Sequence, residues 1–309
     1  MSLSRRILLK ASKSVWLREH APQYRFVQRT AQRFLPGQTP EQALAAARQL
    51  AETGVGAILT HLGENINHRE EAEAVVQHYS GVLRSIRASE PAVEISVKLT
   101  QLGLDFDEEF CFTNVMRLIE ESGAAKTLWI DMEQSAYTDV TLRIYRRAIE
   151  KGANAGICVQ AYLYRTEKDL ESLLGSGGAV RLVKGAYNEP SEIAFPRKQD
   201  VDENFFRLAQ SLLGPEAQRC KLRAAIGTHD RTLIARIIEC AAQKGIPKGR
   251  LEFQMLYGIQ RAEQLRLALD GYRAGVLINY GASWYPWFMR RMAERPANVM
   301  FLARNLFSG

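Results

Sequence analysis

The feature that most constrains this chain is a rhythm. Short apolar runs recur along it, each closed by polar residues or glycine and followed by a stretch with helical spacing. The runs are 54–63 (GVGAILTHLG), 94–103 (EISVKLTQLG), 127–134 (TLWIDMEQ), 153–162 (ANAGICVQAY), 180–187 (VRLVKGAY), 221–230 (KLRAAIGTHD), 251–259 (LEFQMLYGI) and 274–281 (AGVLINYG). Strictly alternating strands and helices imply a parallel sheet with helical crossovers. Eight such units over about 230 residues imply a closed α/β barrel of the (β/α)8 TIM type, with an open doubly wound sheet as the other topology of this pattern.

Upstream of the first run, residues 3–34 read as one or two helices ending at Pro36-Gly37. Thr39 and Pro40 then cap and open a helix reaching Glu52. The chain thus divides into N-terminal helices over 1–52 and a barrel with closing helices over 53–309. With no linker or low-complexity stretch between them, they form a single domain. Residues 1–18 carry Arg5, Arg6, Lys10, Lys13 and Arg18 without an acid. The periodic pattern continues past Glu19, which favours an amphipathic helix over a transit peptide.

Composition excludes several classes. The net charge of +7 is modest, and its Lys and Arg residues are spread without a basic run interleaved with aromatics, so nucleic acid is not an expected partner. Cys111, Cys158, Cys220 and Cys240 show no metal or redox spacing and read as reduced thiols of a cytoplasmic protein. No apolar stretch reaches the length of a membrane span.

Barrel active sites lie at the C-terminal ends of the strands. Those ends are rich in polar side chains here. Glu64 follows strand 1, Lys98 follows strand 2, strand 3 ends on Asp131 and Glu133, and strand 4 ends on Gln160. Strand 5 offers Arg181, Lys184 and Tyr187, strand 6 Thr228 and His229, strand 7 Gln254 and Tyr257, and strand 8 Tyr280. A helix after strand 8, opened near Pro286 and closed by Pro296, places Trp287, Arg290, Arg291 and Glu294 on one face, with Phe288 and Met292 as its apolar edge. A solvated basic patch would show the same spacing, but convergence of all eight strands on one mouth favours a catalytic pocket.

Two adjacent guanidiniums and Lys98 suit a small anion, a carboxylate rather than a phosphate, because the loops after strands 7 and 8 lack a glycine-rich phosphate cradle. The histidines form no obvious triad with Asp131 and Glu133, so no metal is expected. Gly175-Ser-Gly-Gly178 precedes a strand rather than following one, so no Rossmann motif is present and any dinucleotide must be held by the barrel itself. Lys184 or Lys98 as a Schiff-base amine gives the alternative of a flavin-free lyase or aldolase on a small carboxylate. The sequence Lys-Gly-Ala-Tyr at 184–187 instead suggests that the backbone comes close to a bulky ligand at the glycine. A non-catalytic binding barrel is the third reading.

The segments Val180-Arg-Leu-Val-Lys-Gly-Ala-Tyr187, Glu252-Phe-Gln-Met-Leu-Tyr-Gly258 and Tyr285-Pro-Trp-Phe-Met-Arg-Arg-Met-Ala-Glu-Arg-Pro-Ala-Asn298 closely resemble the proline dehydrogenase family. Ser96-Val-Lys-Leu99, Ile130-Asp131, Gln160-Ala-Tyr162 and Thr228-His229 follow in family order. The resemblance runs from about residue 5 to 305, the extent of the monofunctional bacterial form. It implies a barrel that holds FAD at its mouth, oxidises L-proline to 1-pyrroline-5-carboxylate by hydride transfer to flavin N5, and passes electrons to a membrane quinone. A separate pyrroline-5-carboxylate dehydrogenase would act downstream.

By the same resemblance Arg290 and Arg291 bind the substrate carboxylate with Lys98, and Glu64 pairs with Arg290 as a lid. Asp131 and Arg181 are the catalytic polar pair. Met132, Gln160, Arg181, Lys184, Gly185, Ala186, Tyr187, Thr228 and His229 contact FAD. Leu256, Leu277 and Trp287 line the ring pocket, and Glu294, on the same helix face, belongs with them to the substrate-binding set. Leu277 stands where the family has a tyrosine packed on the substrate ring, Asn279 where it has proline, and Trp287 where it usually has tyrosine. The first of these departures predicts weaker proline affinity or a preference for a more substituted cyclic imino acid. The basic segment 1–18 and the apolar run 299–307 (VMFLARNLF) suggest peripheral docking on an anionic membrane, with packing against the barrel as the alternative.

Overall fold

The computed structural model describes residues 14–63, 66–89 and 93–294. Eight strands close into a barrel in sequence order: β1 Gly56–His61, β2 Val93–Val97, β3 Leu128–Ile130, β4 Ala155–Gln160, β5 Ala179–Val183, β6 Arg223–Gly227, β7 Glu252–Leu256 and β8 Arg273–Tyr280. Every neighbouring pair is parallel, and β1 closes on β8 through six residue pairs from Gly56↔Gly275 to His61↔Tyr280. All eight expected strands are present, and the closed topology replaces the open-sheet alternative. A barrel of this kind has two apolar layers because side chains alternate across each strand.

The outer layer is continuous. Ala57 and Leu59 of β1, Ile95 and Val97 of β2, Ile157 of β4, Leu182 of β5 and Val276 of β8 pack against the surrounding helices. Those helices begin where the chain supplies caps. Thr39 and Gln42 form a reciprocal capping box at Pro40–Ala51, Asp107 accepts from the Phe110 N–H at Glu108–Ser122, and Asp230 accepts from Thr232 and Leu233 at Arg231–Gln243. The inner layer holds a separate, smaller cluster of Ile58, Trp129, Ala179 and Ala225, with Leu277 packed on it.

The N-terminal segment is less regular than its periodicity suggests. The helix Val15–His20 gives way to a tight 3-10 turn at Ala21–Gln23, whose Pro22 cannot donate to the helical ladder, and a second helix runs Arg25–Ala31. Val27, Ala31, Phe34 and Leu35 pack against Trp284, Tyr285, Phe288 and Met292 of the closing helix Trp284–Glu294. Each large side chain buried there contributes about 1.5–3 kcal/mol. The segment also passes over the β7 loop: a Cβ on Gly258, at φ +75°, would lie 1.8 Å from the Arg33 carbonyl oxygen.

Candidate active site

Inward-facing residues at the upper ends of β2, β3 and β5 build a connected polar group. The Ser96 hydroxyl donates to Asp131 Oδ1 at 2.7 Å and accepts from an Arg181 Nη2–H at 2.9 Å. Arg181 Nη2 and Asp131 Oδ1 are 3.7 Å apart, so the serine oxygen bridges a pair that does not itself hydrogen-bond. Asp131 is held on the other side by its backbone N–H, which donates to the Val97 carbonyl at 2.9 Å. Arg181 is buried, and its Nε–H has no hydrogen-bond partner among the described residues. Its guanidinium carbon lies 4.6 Å from the centroid of the Trp129 ring.

A second charged group closes the barrel below. Arg223 donates to Glu94 at 2.5 and 3.1 Å and to Glu252 at 2.8 Å through two nitrogens. Trp129 Nε1 donates to Glu94 Oε2 at 2.8 Å, and Gln254 Nε2 donates to Glu252 Oε1 at 2.7 Å. Burial alone would push the Glu252 carboxyl up, but its hydrogen bonds and charge attraction to Arg223 leave it below the ordinary carboxylate range. Removing one partner of such a buried pair leaves a charge stranded. This floor faces away from the mouth, and it takes in Gln254, which the sequence places at the mouth.

Around the mouth, the chain brings several expected residues together. Gln160 donates both Nε2 hydrogens, to the Met132 and Glu133 carbonyls at 3.2 and 3.1 Å, which leaves its buried Oε1 unbonded among the described residues. His229 accepts from the Leu256 N–H at Nε2, 2.9 Å away, so a neutral ring carries its proton on Nδ1. Thr228 is buried, and its hydroxyl accepts from the Asp230 N–H at 3.1 Å. Lys184 donates to Asp202 Oδ1 at 2.5 Å and to Asp230 Oδ2 at 3.0 Å, and Lys198 shares Asp202. Lys98 is half-buried, and no hydrogen bond or ion pair holds its ammonium among the described residues. Ala186 is exposed and Tyr187 half-buried in the loop after β5.

Other expected positions differ. The Met132 side chain belongs to the outer apolar core, so only its backbone faces the site. Gly185, at φ +112°, has protein on the side a Cβ would take: an added Cβ would lie 2.2 Å from the Tyr162 ring, so the packing of Tyr162 requires a glycine there. Trp287 lies in the apolar cluster between the closing helix and the N-terminal segment, with the Arg291 guanidinium 5.9 Å from its ring centroid. Tyr280 points outward from β8, and its hydroxyl meets His78 Nε2 at 2.9 Å, so it does not contribute to the mouth. Glu133 likewise turns away, accepting from the backbone N–H and hydroxyl of Thr100 at 3.1 and 2.7 Å. Leu277 faces inward onto the Trp129 cluster, and Leu256 is half-buried. Glu64 and the side chains of Arg290 and Glu294 lie outside the described residues, so the expected Glu64–Arg290 lid is not described.

The family profile named proline dehydrogenase matches residues 43–304. The chain belongs to the proline dehydrogenase family. It is 37% identical over 279 residues to proline dehydrogenase 1 of Bacillus subtilis, covering 89% of this chain and 90% of that one. It is 35% identical over 285 residues to the proline dehydrogenase of Deinococcus radiodurans, covering 90% of each. Among solved structures, proline utilization A of Bdellovibrio bacteriovorus inactivated by N-propargylglycine superposes with a TM-score of 0.79 at 26% identity. That match takes in 87% of this chain and 33% of the other, so the chain spans about a third of that larger protein. Family membership implies a flavin cofactor and a small cyclic imino acid as substrate. No helix among the described residues is long and apolar enough to cross a membrane.

Proposed function

We propose that this chain oxidises L-proline, or a closely related cyclic imino acid, to 1-pyrroline-5-carboxylate with FAD, as the first step of proline catabolism. The observation that carries the reading is the Arg181–Ser96–Asp131 group, inside the mouth of a barrel whose sequence belongs to this family. Bound flavin supplies the two-electron acceptor that the oxidation requires.

The residues suit that cofactor. The buried Gln160 Oε1 is an acceptor in want of a donor, and the Arg181 Nε–H is a donor in want of an acceptor. A flavin ring offers both kinds of group along its edge. Arg181, Gln160, Lys184, Gly185, Ala186, Tyr187, Thr228 and His229 would hold it, with Met132 contributing through its backbone. A fixed guanidinium at Arg181 favours electron density arriving beside it. Asp131, held by Ser96, keeps that guanidinium oriented toward the mouth.

At the other end of the substrate, Arg290, Arg291 and Lys98 bind the carboxylate, with Glu64 and Glu294 balancing charge around them. This clamp fixes which carbon–hydrogen bond faces the cofactor, and such positioning supplies much of a rate enhancement. Leu256, Leu277 and Trp287 bound the apolar part of the pocket. A membrane quinone is the electron acceptor, the protein works in the cytoplasm with peripheral docking on the membrane, and a separate dehydrogenase consumes the product. The Schiff-base alternative is disfavoured at Lys184, because two carboxylates engage its ammonium where that chemistry needs a desolvated amine.

The test is turnover of L-proline with a dye acceptor, with the product identified by mass spectrometry as proline less two hydrogens. Flavin-loaded protein that reduces no dye with any cyclic imino acid would overturn the proposal.

A further inference from the structure

We infer that Trp129 is a positioning residue for Arg181, the indole acting as a platform that sets where the guanidinium stands at the mouth. The inference rests on the proposed role of Arg181. A guanidinium has five N–H donors and is normally fixed by several hydrogen bonds. Among the described residues Arg181 has a single hydrogen bond, from Nη2 to Ser96, and its Nε–H has no partner although the side chain is buried. The Asp131 carboxylate stands 3.7 Å from Nη2 without a hydrogen bond to it, and the Trp129 ring lies 4.6 Å from the central carbon, attracting the cation through the ring quadrupole.

The ring is fully buried and fixed on several sides. Its Nε1–H donates to Glu94 at 2.8 Å, and Arg223 clamps Glu94 while its own guanidinium carbon stands 5.1 Å from the same ring. Gly156, paired with Trp129 in the sheet, leaves the space the indole needs: a Cβ there would fall 2.4 Å from the ring carbon Cε3. Two guanidiniums against one ring would repel each other. Glu94 and Glu252 offset the charges of Arg223 and of Arg273, which lies 3.4 Å from Glu252, so the floor is formally neutral and its cation does not drive Arg181 off the indole. The ion cluster below thus sets the indole, and the indole sets the active-site cation.

The test compares Trp129→Leu, Trp129→Phe, Glu94→Gln and Arg181→Met in flavin-loaded protein, reading kcat and KM for L-proline and the flavin midpoint potential. Urea midpoints of the cofactor-free forms give a readout independent of activity. Trp129→Leu is expected to lower kcat by about 10- to 100-fold with KM within about threefold, the pattern of a misplaced catalytic group. It should move the potential in the same direction as Arg181→Met. Trp129→Phe, which keeps an aromatic face, should recover most of the loss. The urea midpoints of Trp129→Leu and Arg181→Met should combine non-additively. Should Trp129→Leu fail to fold, Glu94→Gln must show the same direction in kcat and potential at about 3- to 10-fold in kcat. Unchanged kcat and potential in a folded Trp129→Leu, or in Glu94→Gln where Leu does not fold, would overturn the inference if Arg181→Met changes both. Should Arg181→Met itself change neither, the role assigned to Arg181 fails first and this inference fails with it.

Discussion

Ser96→Ala is the most incisive single change at this site. The serine hydroxyl is completely buried and joins Arg181, at 2.9 Å, to Asp131, at 2.7 Å. Hydrogen bonds to charged groups contribute about 1.5–3 kcal/mol each, so removing both would cost up to about 6 kcal/mol if nothing moved. Arg181 and Asp131 lie only 3.7 Å apart and can close into a direct pair, which recovers part of that. A net loss of about 2 kcal/mol in unfolding free energy is expected. The same closure pulls the guanidinium off its position, and displacement of a catalytic group by about 1 Å costs on the order of 100-fold in rate. Urea unfolding of the cofactor-free protein and steady-state kinetics of the loaded enzyme measure the two effects. Ser96→Thr, which restores the hydroxyl, should recover much of both. A Ser96→Ala protein within about 0.5 kcal/mol and twofold in kcat of the parent would refute the bridging role.

Three further outcomes follow from particular contacts. Gly185→Ala forces a Cβ to within 2.2 Å of the Tyr162 ring at φ +112°, so thermal stability should fall by about 2 kcal/mol or more and the ratio of flavin to protein absorbance should drop; an unaltered melt would contradict the packing. Burial lowers the His61 imidazole to about 4, with His78 and Lys98 adding to the effect. The unfolded chain therefore binds a proton below about pH 6.5 that the folded one refuses, and stability should decline as pH falls from 6.5 toward 4. Discounted for a partly exposed ring, the decline is about 1–2 kcal/mol; His61→Gln should flatten it, and an identical slope in both proteins would rule out His61 as its source. Leu277→Tyr installs the tyrosine that the family resemblance leads one to expect at this position, so kcat/KM should rise for L-proline relative to hydroxyproline and alkylated prolines; a strict preference for proline in the unmodified protein would count against Leu277 as a specificity position.

The barrel was legible because eight apolar runs alternate with helices, and a chain that buries both faces of a parallel strand has to be apolar along most of its length. That same property hid which face each residue takes. Tyr280 and Glu133 sit at strand ends like Asp131 and Arg181, yet they face outward, toward His78 and Thr100. The rule that places barrel active sites at the C-terminal ends of the strands says nothing of the opposite ends, so it gives no sign of the ion cluster in the lower half. Its signal was present: Glu94, Arg223 and Glu252 are charges at or near the first positions of otherwise apolar runs, spaced to face the interior. Ser96 lay in a recognised motif, but a serine gives no hint in sequence that it bridges two charges 35 and 85 residues away. The resemblance identified the chemistry, while the packing of Met132, Gly185 and Trp287 depends on contacts between distant segments that no local pattern encodes.

The most direct measurement is the absorption spectrum of the purified protein, followed by anaerobic addition of L-proline. The account predicts a flavin band that L-proline bleaches, with bleaching greatly slowed in Arg181→Met. Protein that binds no flavin, or a band that neither L-proline nor any related cyclic imino acid bleaches, would contradict it.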